Sequence, residues 1–122
     1  MEKKIYITEE ERAKCKKVAE AFSELYEMAD IVVVDAGRYG FVMLKYYMPT
    51  HGFEEDETYT DSRALFEGLW QEWLDMKLYL MAKGTPLLEK GYKGAFESLP
   101  EEKQSILIGR KADFAERAGI DL

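Results

Sequence analysis

The first regular pattern of apolar and polar positions in the chain is a helical one over residues 8–29. At about 100° per residue, the apolar side chains fall on one stripe and the charged side chains lie opposite. Thr8 fits the N-cap, and Glu11 three residues later completes a capping-box pattern. We therefore predict one long helix with a buried face formed by Cys15, Val18, Ala19, Phe22, Leu25, Tyr26 and Ala29.

The next pattern is that of a β-hairpin. Residues 31–36 (IVVVDA) and 41–48 (FVMLKYYM) are rich in β-branched and aromatic residues, and a short glycine-containing loop separates them. Nearly every position is apolar, so both faces of these strands are predicted to be covered to some extent. Asp35 and Lys45 are the exceptions, and their matching parity predicts that they lie near one another across the hairpin.

A second long helix is predicted over 61–83. Thr60 or Asp61 can cap it, Gly84 fits the left-handed position after its end, and Pro86 follows as a stop. Its apolar arc spans about 180°, whereas a surface helix needs only about 100°. We expect this helix to pack on two neighbours, either the sheet and another helix or a second subunit. The arc comprises Leu65, Phe66, Leu69, Trp70, Trp73, Leu74, Met76, Leu80 and Met81.

A last helix is predicted over about 99–118, with Ser98 as its cap and an apolar face formed by Leu107, Ile108, Phe114, Ala115 and Ala118. Gly109 lies inside this helix, where glycine costs about 1 kcal/mol relative to alanine. We expect it to mark a close approach of two helices. Gly91 and Gly94 are predicted to bracket a turn before the helix.

These elements predict one α+β domain over residues 1–122. It has a small antiparallel sheet led by the hairpin at 31–48, two long helices at about 8–29 and 61–83, and the C-terminal helix packed over one side. The sequence leaves open whether residues 3–7 and 53–59 are also strands. A strand at 3–7 would leave room for a ferredoxin-like arrangement, which by itself says nothing about function.

Charge and cysteine content narrow the classes of protein. The formal net charge is −7, so the surface repels polyanions and we expect no nucleic-acid partner. One cysteine allows no intrachain disulfide, which favours a reducing compartment. The longest uncharged apolar stretches are far shorter than the ~20 residues of a membrane span. These observations predict a cytoplasmic protein that does not associate with a membrane.

No motif specifies a reaction. The chain has one histidine and one cysteine, so the usual zinc ligand sets cannot form within one protomer. The acidic run Glu54–Glu57 near His51 lacks the spacing of a calcium-binding loop. Cys15 falls on the apolar stripe of the first helix, so an inert buried thiol is favoured over a nucleophile. We predict no metal and no cofactor, and the interpretation favours a protein without catalytic activity.

Three further positions have both a structural and a functional interpretation. The segment Gly37–Gly40 is better explained as a hairpin turn than as a phosphate loop, with Asp35 as a turn acceptor or a partner of Arg38 or Lys45. His51 could serve as an acid or base, but a loop histidine without chemistry is favoured. Lys77 lies inside the apolar arc, where snorkelling beside the aromatics is favoured over a desolvated, nucleophilic amine.

The aromatic residues give the leading functional hypothesis. The apolar arc of the central helix, which includes Trp70 and Trp73, exceeds what one packing partner covers, and this favours a binding or regulatory module that contacts a protein partner or self-associates as a homodimer. A second hypothesis is a small-molecule binder or minor enzyme with a pocket between hairpin and central helix, lined by Tyr46, Tyr47, Trp70 and Trp73, where Lys77, Asp35, Arg38 or His51 would supply the polar groups. A third is an acidic decoy of nucleic acid, which needs Glu20, Glu24, Glu27 and Glu54–Glu57 on one continuous surface.

Overall fold

The computed structural model describes residues 6–28, 31–48, 52–86, 89 and 91–122, and for residues 45–48 and 52–57 it describes the backbone only. Within these residues the chain forms an α+β fold with a three-stranded antiparallel sheet and five α-helices. The helices precede and follow the sheet in the chain, and most of the buried side chains lie between them.

The sheet is a meander of strands β1 (Ile31–Asp35), β2 (Phe41–Met48) and β3 (Gly52–Tyr59). The predicted hairpin is confirmed, and the third strand that the sequence left open is present. Tyr6 and Ile7 lie in no strand, although the Ile7 N–H donates to the Arg38 carbonyl at 2.9 Å. Positions 3–5 lie outside the described residues. The described sheet therefore gives the ferredoxin-like arrangement no support.

The first predicted helix is two helices, α1 (Glu9–Ala21) and α2 (Ser23–Met28). Thr8 caps α1 as predicted, because its hydroxyl accepts the Glu11 N–H at 3.1 Å. Phe22 interrupts the helix with φ −101° and ψ 21°. The ring of Phe22 packs between Phe66 and Phe114, with centroids 5.5 and 4.4 Å away. The break thus coincides with a tertiary contact that local periodicity does not encode.

The central helix α3 (Ser62–Ala82) begins at Asp61, whose carboxylate accepts the N–H groups of Arg63 and Ala64. Its wide apolar arc is covered from two sides, because α1 and the last helix pack on one face and a short helix, α4 (Gly91–Glu97), packs on another. The prediction of two neighbours is confirmed. The neighbours that cover most of the arc are helices of the same chain.

The C-terminal region departs from its prediction in three ways. Gly91 and Gly94 lie within α4 and do not bracket a turn. The last helix, α5 (Glu101–Ala118), begins at Pro100 without a side-chain cap, and the Ser98 hydroxyl instead donates to the Gly94 carbonyl at 2.8 Å. Ile108 is 52% exposed, so it does not belong to the buried face of α5. The short helix α4 occupies the positions where a turn was predicted.

The close approach expected at Gly109 occurs at Gly68 instead. A Cβ on Gly109 would meet no atom within 4 Å. A Cβ on Gly68 would lie 3.0 Å from Cζ of Tyr59, and nearer still to its hydroxyl oxygen. Tyr59 is buried at the end of β3, so this contact fixes how closely α3 lies against the sheet.

Gly68→Ala should therefore destabilise the protein by about 1–3 kcal/mol, because the added methyl group overpacks against the buried Tyr59 ring. Gly109→Ala is the matched control and should stabilise by up to about 1 kcal/mol, since alanine has the higher helix propensity and the site is open. Urea unfolding measures both. The loss of unfolding free energy caused by Gly68→Ala should be smaller in a Tyr59→Phe background, which lacks the hydroxyl. An equal loss in both backgrounds would contradict the contact between residue 68 and Tyr59.

Candidate functional site

The two tryptophans lie in the core and form no surface. Trp70 and Trp73 are 5% and 2% exposed, and their stacked rings have centroids 5.3 Å apart. The Trp73 ring also meets the edge of Phe114 at 5.2 Å. This corrects the expectation that the Trp side of α3 exceeds what one chain can bury. The exposed large apolar side chains of α3 are confined to its C-terminal end, at Tyr79, Leu80 and Met81.

Two grooves among the described residues are lined by the helices α3, α4 and α5. A groove of about 280 Å³ runs between α3 and α4, and Phe96 also lines a second groove beside Ile108 and Gly109. The side chains of Tyr46 and Tyr47, and all of His51, lie outside the described residues. The groove between α3 and α4 is lined by Gln71, Leu74, Asp75, Leu78, Tyr92, Lys93 and Phe96.

Lys77 pairs with a carboxylate at the edge of the core. Its Nζ lies 3.5 Å from Oε1 of Glu24 and 5.4 Å from the centroid of the Trp73 ring, and its side chain is 26% exposed. Glu24 also accepts from Arg110 at 3.3 Å. This is the geometry of a snorkelling lysine, with the stem along an aromatic and the charge paired near water. Because Glu24 is shared by two cations, it also presents no bare carboxylate for an acidic decoy surface.

Asp35 binds Arg12 and not Arg38, and Lys45 lies at the other end of the hairpin. Its carboxylate oxygens accept from Nη2 of Arg12 at 2.6 and 2.7 Å. The strand register explains the correction, because Asp35 lies opposite Phe41 while Lys45 lies opposite Ile31 at the other end of the hairpin. The role of turn acceptor is found, since Asp35 also accepts the Gly37 N–H at 2.9 Å. The interaction ties α1 to the hairpin turn.

Arg38 lies on the surface against two tyrosines. Its guanidinium carbon is 5.5 Å from the ring centroid of Tyr6 and 5.7 Å from that of Tyr39. The two rings are 5.9 Å apart, so the three groups form a nearly equilateral triangle. These cation–π contacts keep the residue at the turn, consistent with a hairpin turn and not with a phosphate loop.

Glu11 and Cys15 on α1 have shifted pKa values with structural causes. Glu11 accepts the Ser62 N–H at 2.8 Å, and this bond lowers the pKa of its carboxyl below the ordinary 4.5. Burial raises the pKa of the Cys15 thiol to about 11, with a smaller contribution from the charges of Glu11 and Asp61. Cys15 is fully buried, so it has neither the ionisation nor the access that a nucleophile needs.

The outer face of the sheet, defined here as Val32, Val34, Val42 and Leu44, is the surface that sequence analysis missed. Val32 and Val34 are each 40% exposed, and their cross-strand partners Leu44 and Val42 are half-buried. The opposite face of the sheet is buried through Ile31, Phe41 and Met43. Both faces are thus covered to some extent, as predicted, but the outer face is the less covered of the two. An unbroken apolar run hides this difference, because it lacks the alternation that marks a solvent-facing strand.

A comparison with protein-family models, curated proteins and solved structures finds no match to this chain. Within the described part of the chain, no three His, Cys, Asp or Glu residues are grouped so that they could hold a metal ion. None of the helices described above is both long and apolar enough to cross a bilayer. The outer face of the sheet and the groove between α3 and α4 are therefore the features that bear on function.

Lys77→Met should change the free energy of unfolding by less than about 1 kcal/mol, or raise it. A partly exposed ion pair contributes roughly 0–1 kcal/mol, Glu24 keeps Arg110, and methionine can replace the lysine stem beside Trp73. Leu69→Ala in the same helix gives the scale for core truncation, about 2–5 kcal/mol. Urea unfolding of both variants is the measurement. A loss for Lys77→Met comparable to that of Leu69→Ala would show that the lysine is integral to the core.

The Glu11–Ser62 bond should make stability depend on pH. Because the folded-state pKa of Glu11 is lowered, its contribution is present above pH 4.5 and is lost as pH falls through the folded-state pKa. Glu11→Gln should therefore cost about 1 kcal/mol at neutral pH, and the difference from wild type should shrink as pH falls below 4.5. Glu9→Gln, in the same first turn, controls for the helix dipole. A cost for Glu11→Gln that does not vary with pH would contradict the assignment.

Proposed function

We propose that this chain is a non-catalytic binding module of the cytoplasm that self-associates through the outer face of its sheet. The observation that carries the proposal is the exposure of Val32 and Val34 beside Val42 and Leu44. A strand face of this composition is normally covered, whereas a solvent-facing strand alternates apolar with polar side chains. Clusters of exposed aliphatic residues on a folded protein commonly mark contact surfaces.

A second copy of the chain is compatible with this face, because the face itself carries no charge. Each copy carries a formal net charge of −7, so two copies repel one another over most orientations. Val32, Val34, Val42 and Leu44 are all uncharged, and the nearest charge on β1, Asp35, is paired with Arg12. Two copies can therefore meet at this face without bringing unpaired charges from β1 together.

The thiol supports the cytoplasmic part of the proposal. Cys15 is free and buried, and its raised pKa keeps it protonated at neutral pH. A protein with one unpaired cysteine is typical of a reducing compartment. Self-association by packing of aliphatic side chains needs no disulfide between copies.

The groove between α3 and α4 favours a second candidate, a binder of a small apolar molecule. Its apolar side chains include Leu74, Tyr92 and Phe96, and its volume of about 280 Å³ is near the lower end of ligand pockets. This site would replace the pocket that the sequence placed between hairpin and central helix. Chemical-shift changes at Tyr92 and Phe96 on titration with small aromatic compounds would support this candidate, and their absence would remove it.

Sedimentation velocity tests the leading proposal. The weight-average sedimentation coefficient should rise with concentration over the micromolar range, since a contact made by four aliphatic side chains per copy supports a weak dimer. Val32→Thr/Val34→Thr keeps side-chain shape and β-propensity but makes the face polar, and it should raise the dissociation constant at least about tenfold. The control is Leu80→Gln/Met81→Gln at the exposed end of α3, which should leave association unchanged. A wild-type chain that remains monomeric, or association lost only in the control, would overturn the proposal.

A further inference from the structure

We propose that two copies join edge to edge at β1, in antiparallel register about a twofold axis through Val33, to form one continuous six-stranded sheet. This inference rests on the proposed self-association and specifies its geometry. It differs from the alternative in which the outer faces of two sheets stack on one another. Three observations carry it: the hydrogen-bond groups that β1 leaves on its edge, the symmetry of its sequence, and the contrast with β3.

The first observation is the direction of the backbone groups of β1, an edge strand in the order β1-β2-β3. The Ala36 N–H donates to the Gly40 carbonyl at 2.8 Å, and the register then continues residue by residue along the hairpin. Hydrogen-bonded pairs alternate in an antiparallel ladder, so Val32 and Val34 also bond to β2. The N–H and C=O groups of Ile31, Val33 and Asp35 therefore point to the outer edge. Within the described residues, β1 makes backbone hydrogen bonds to β2 alone.

The second observation is that β1 is complementary to itself about Val33. In antiparallel register, Val33 exchanges two hydrogen bonds with the partner's Val33, and Ile31 does so with the partner's Asp35. All outward groups of Ile31, Val33 and Asp35 are then satisfied. Asp35 lies opposite an isoleucine and is already paired with Arg12, so no like charges face each other across the new ladder.

The same register brings the exposed valines of the two copies side by side. Val32 comes directly opposite the partner's Val34, in a pair without mutual hydrogen bonds, where side chains approach most closely. The two valines of each copy then contact those of the other laterally on the outer face of the joined sheet. Edge pairing thus satisfies the outward backbone groups of β1 and removes part of the 40% exposure of Val32 and Val34.

The third observation is the difference between the two edges of the sheet. β3 carries four consecutive acidic residues, Glu54–Glu57, and its ladder with β2 has two register irregularities. Acidic residues and bulges are devices by which proteins prevent unwanted strand pairing. In β1, Ile31–Val34 contains no charge, no proline and no register shift. One edge is protected against another strand, and the other is not.

The test is residue-resolved amide hydrogen exchange of the wild-type chain at several concentrations. The amides of Val33 and Asp35, which point outward, should exchange at least about tenfold more slowly where the dimer predominates. Those of Val32 and Val34, already bonded to β2, should show a smaller change. This alternation along β1 is specific to edge pairing and would not arise from stacked faces.

A backbone variant gives an independent check. Val33→Pro removes the outward N–H without removing a bond to β2, a position where an edge strand tolerates proline, and should raise the dissociation constant at least tenfold. Val33→Ala retains the N–H and should associate as wild type does. Circular dichroism checks whether both variants are folded. If Val33→Pro does not fold, the hydrogen-exchange experiment on the wild-type chain tests edge pairing.

The outcomes separate the two proposals. A dimer without the alternating protection, or one that Val33→Pro leaves intact, overturns edge pairing and leaves self-association standing. Protection at Val33 and Asp35 that is independent of concentration shows that the chain covers its own edge, and this also overturns edge pairing. A chain that stays monomeric in sedimentation overturns both.

Discussion

The packing of aromatic rings between the helices is the interaction on which the structure depends. Phe22 stacks on Phe114 with centroids 4.4 Å apart, and Trp73 meets the same Phe114 ring at 5.2 Å. These rings come from the junction of α1 and α2, from α3 and from α5, so one cluster joins segments that are far apart in sequence. Large rings bury much apolar area with little loss of side-chain entropy, which makes such a cluster an efficient core.

The position of this core decides which surfaces are left exposed. The helices gather on one side of the sheet, where Phe41, Met43 and Tyr59 join the cluster from the strands. No described helix packs on the other side, so aliphatic residues there remain in contact with water. Around the cluster, Glu24 holds Lys77 and Arg110 close to the Trp73 ring, which keeps charges at the rim paired. The charges at the rim of the core are therefore paired, whereas the outer face of the sheet is incompletely covered.

Much of the fold could be predicted from local chemistry. Thr8 and Asp61 each begin a helix through a side-chain bond to the backbone, and these bonds involve residues at most three positions apart. The hairpin follows from two β-branched runs and a glycine turn. Such features depend on near neighbours in sequence, which is why periodicity and capping patterns locate them.

The sequence-based predictions that were wrong concern features that depend on residues distant in sequence. The break at Phe22 depends on rings of α3 and α5, and the partner of Asp35 lies 23 positions away on α1. Gly109 and Gly68 look alike in sequence, but only Gly68 faces a buried tyrosine. The exposure of Val32 was hidden for a related reason: a strand apolar on both faces does not indicate which face the helices will cover.

The candidate site was harder to predict than the fold. Of the residues singled out for binding, Trp70 and Trp73 lie in the core, while Asp35, Arg38 and Lys77 are engaged in separate local interactions. They do not converge on one cavity, whereas the outer face of the sheet lies on adjacent strands and forms one patch. A pattern of residue types could suggest an excess of apolar surface, but only the arrangement of the helices determines where that excess lies.

The central claim is that the valines of β1 are a contact surface between copies of the chain. Methyl NMR spectra recorded over a dilution series test it most directly. The account predicts that the methyl resonances of Val32 and Val34 move with concentration while those of Leu65 and Leu69, in the core, do not. Valine resonances that stay fixed over the whole series, or movement confined to Leu80 at the end of α3, would contradict it.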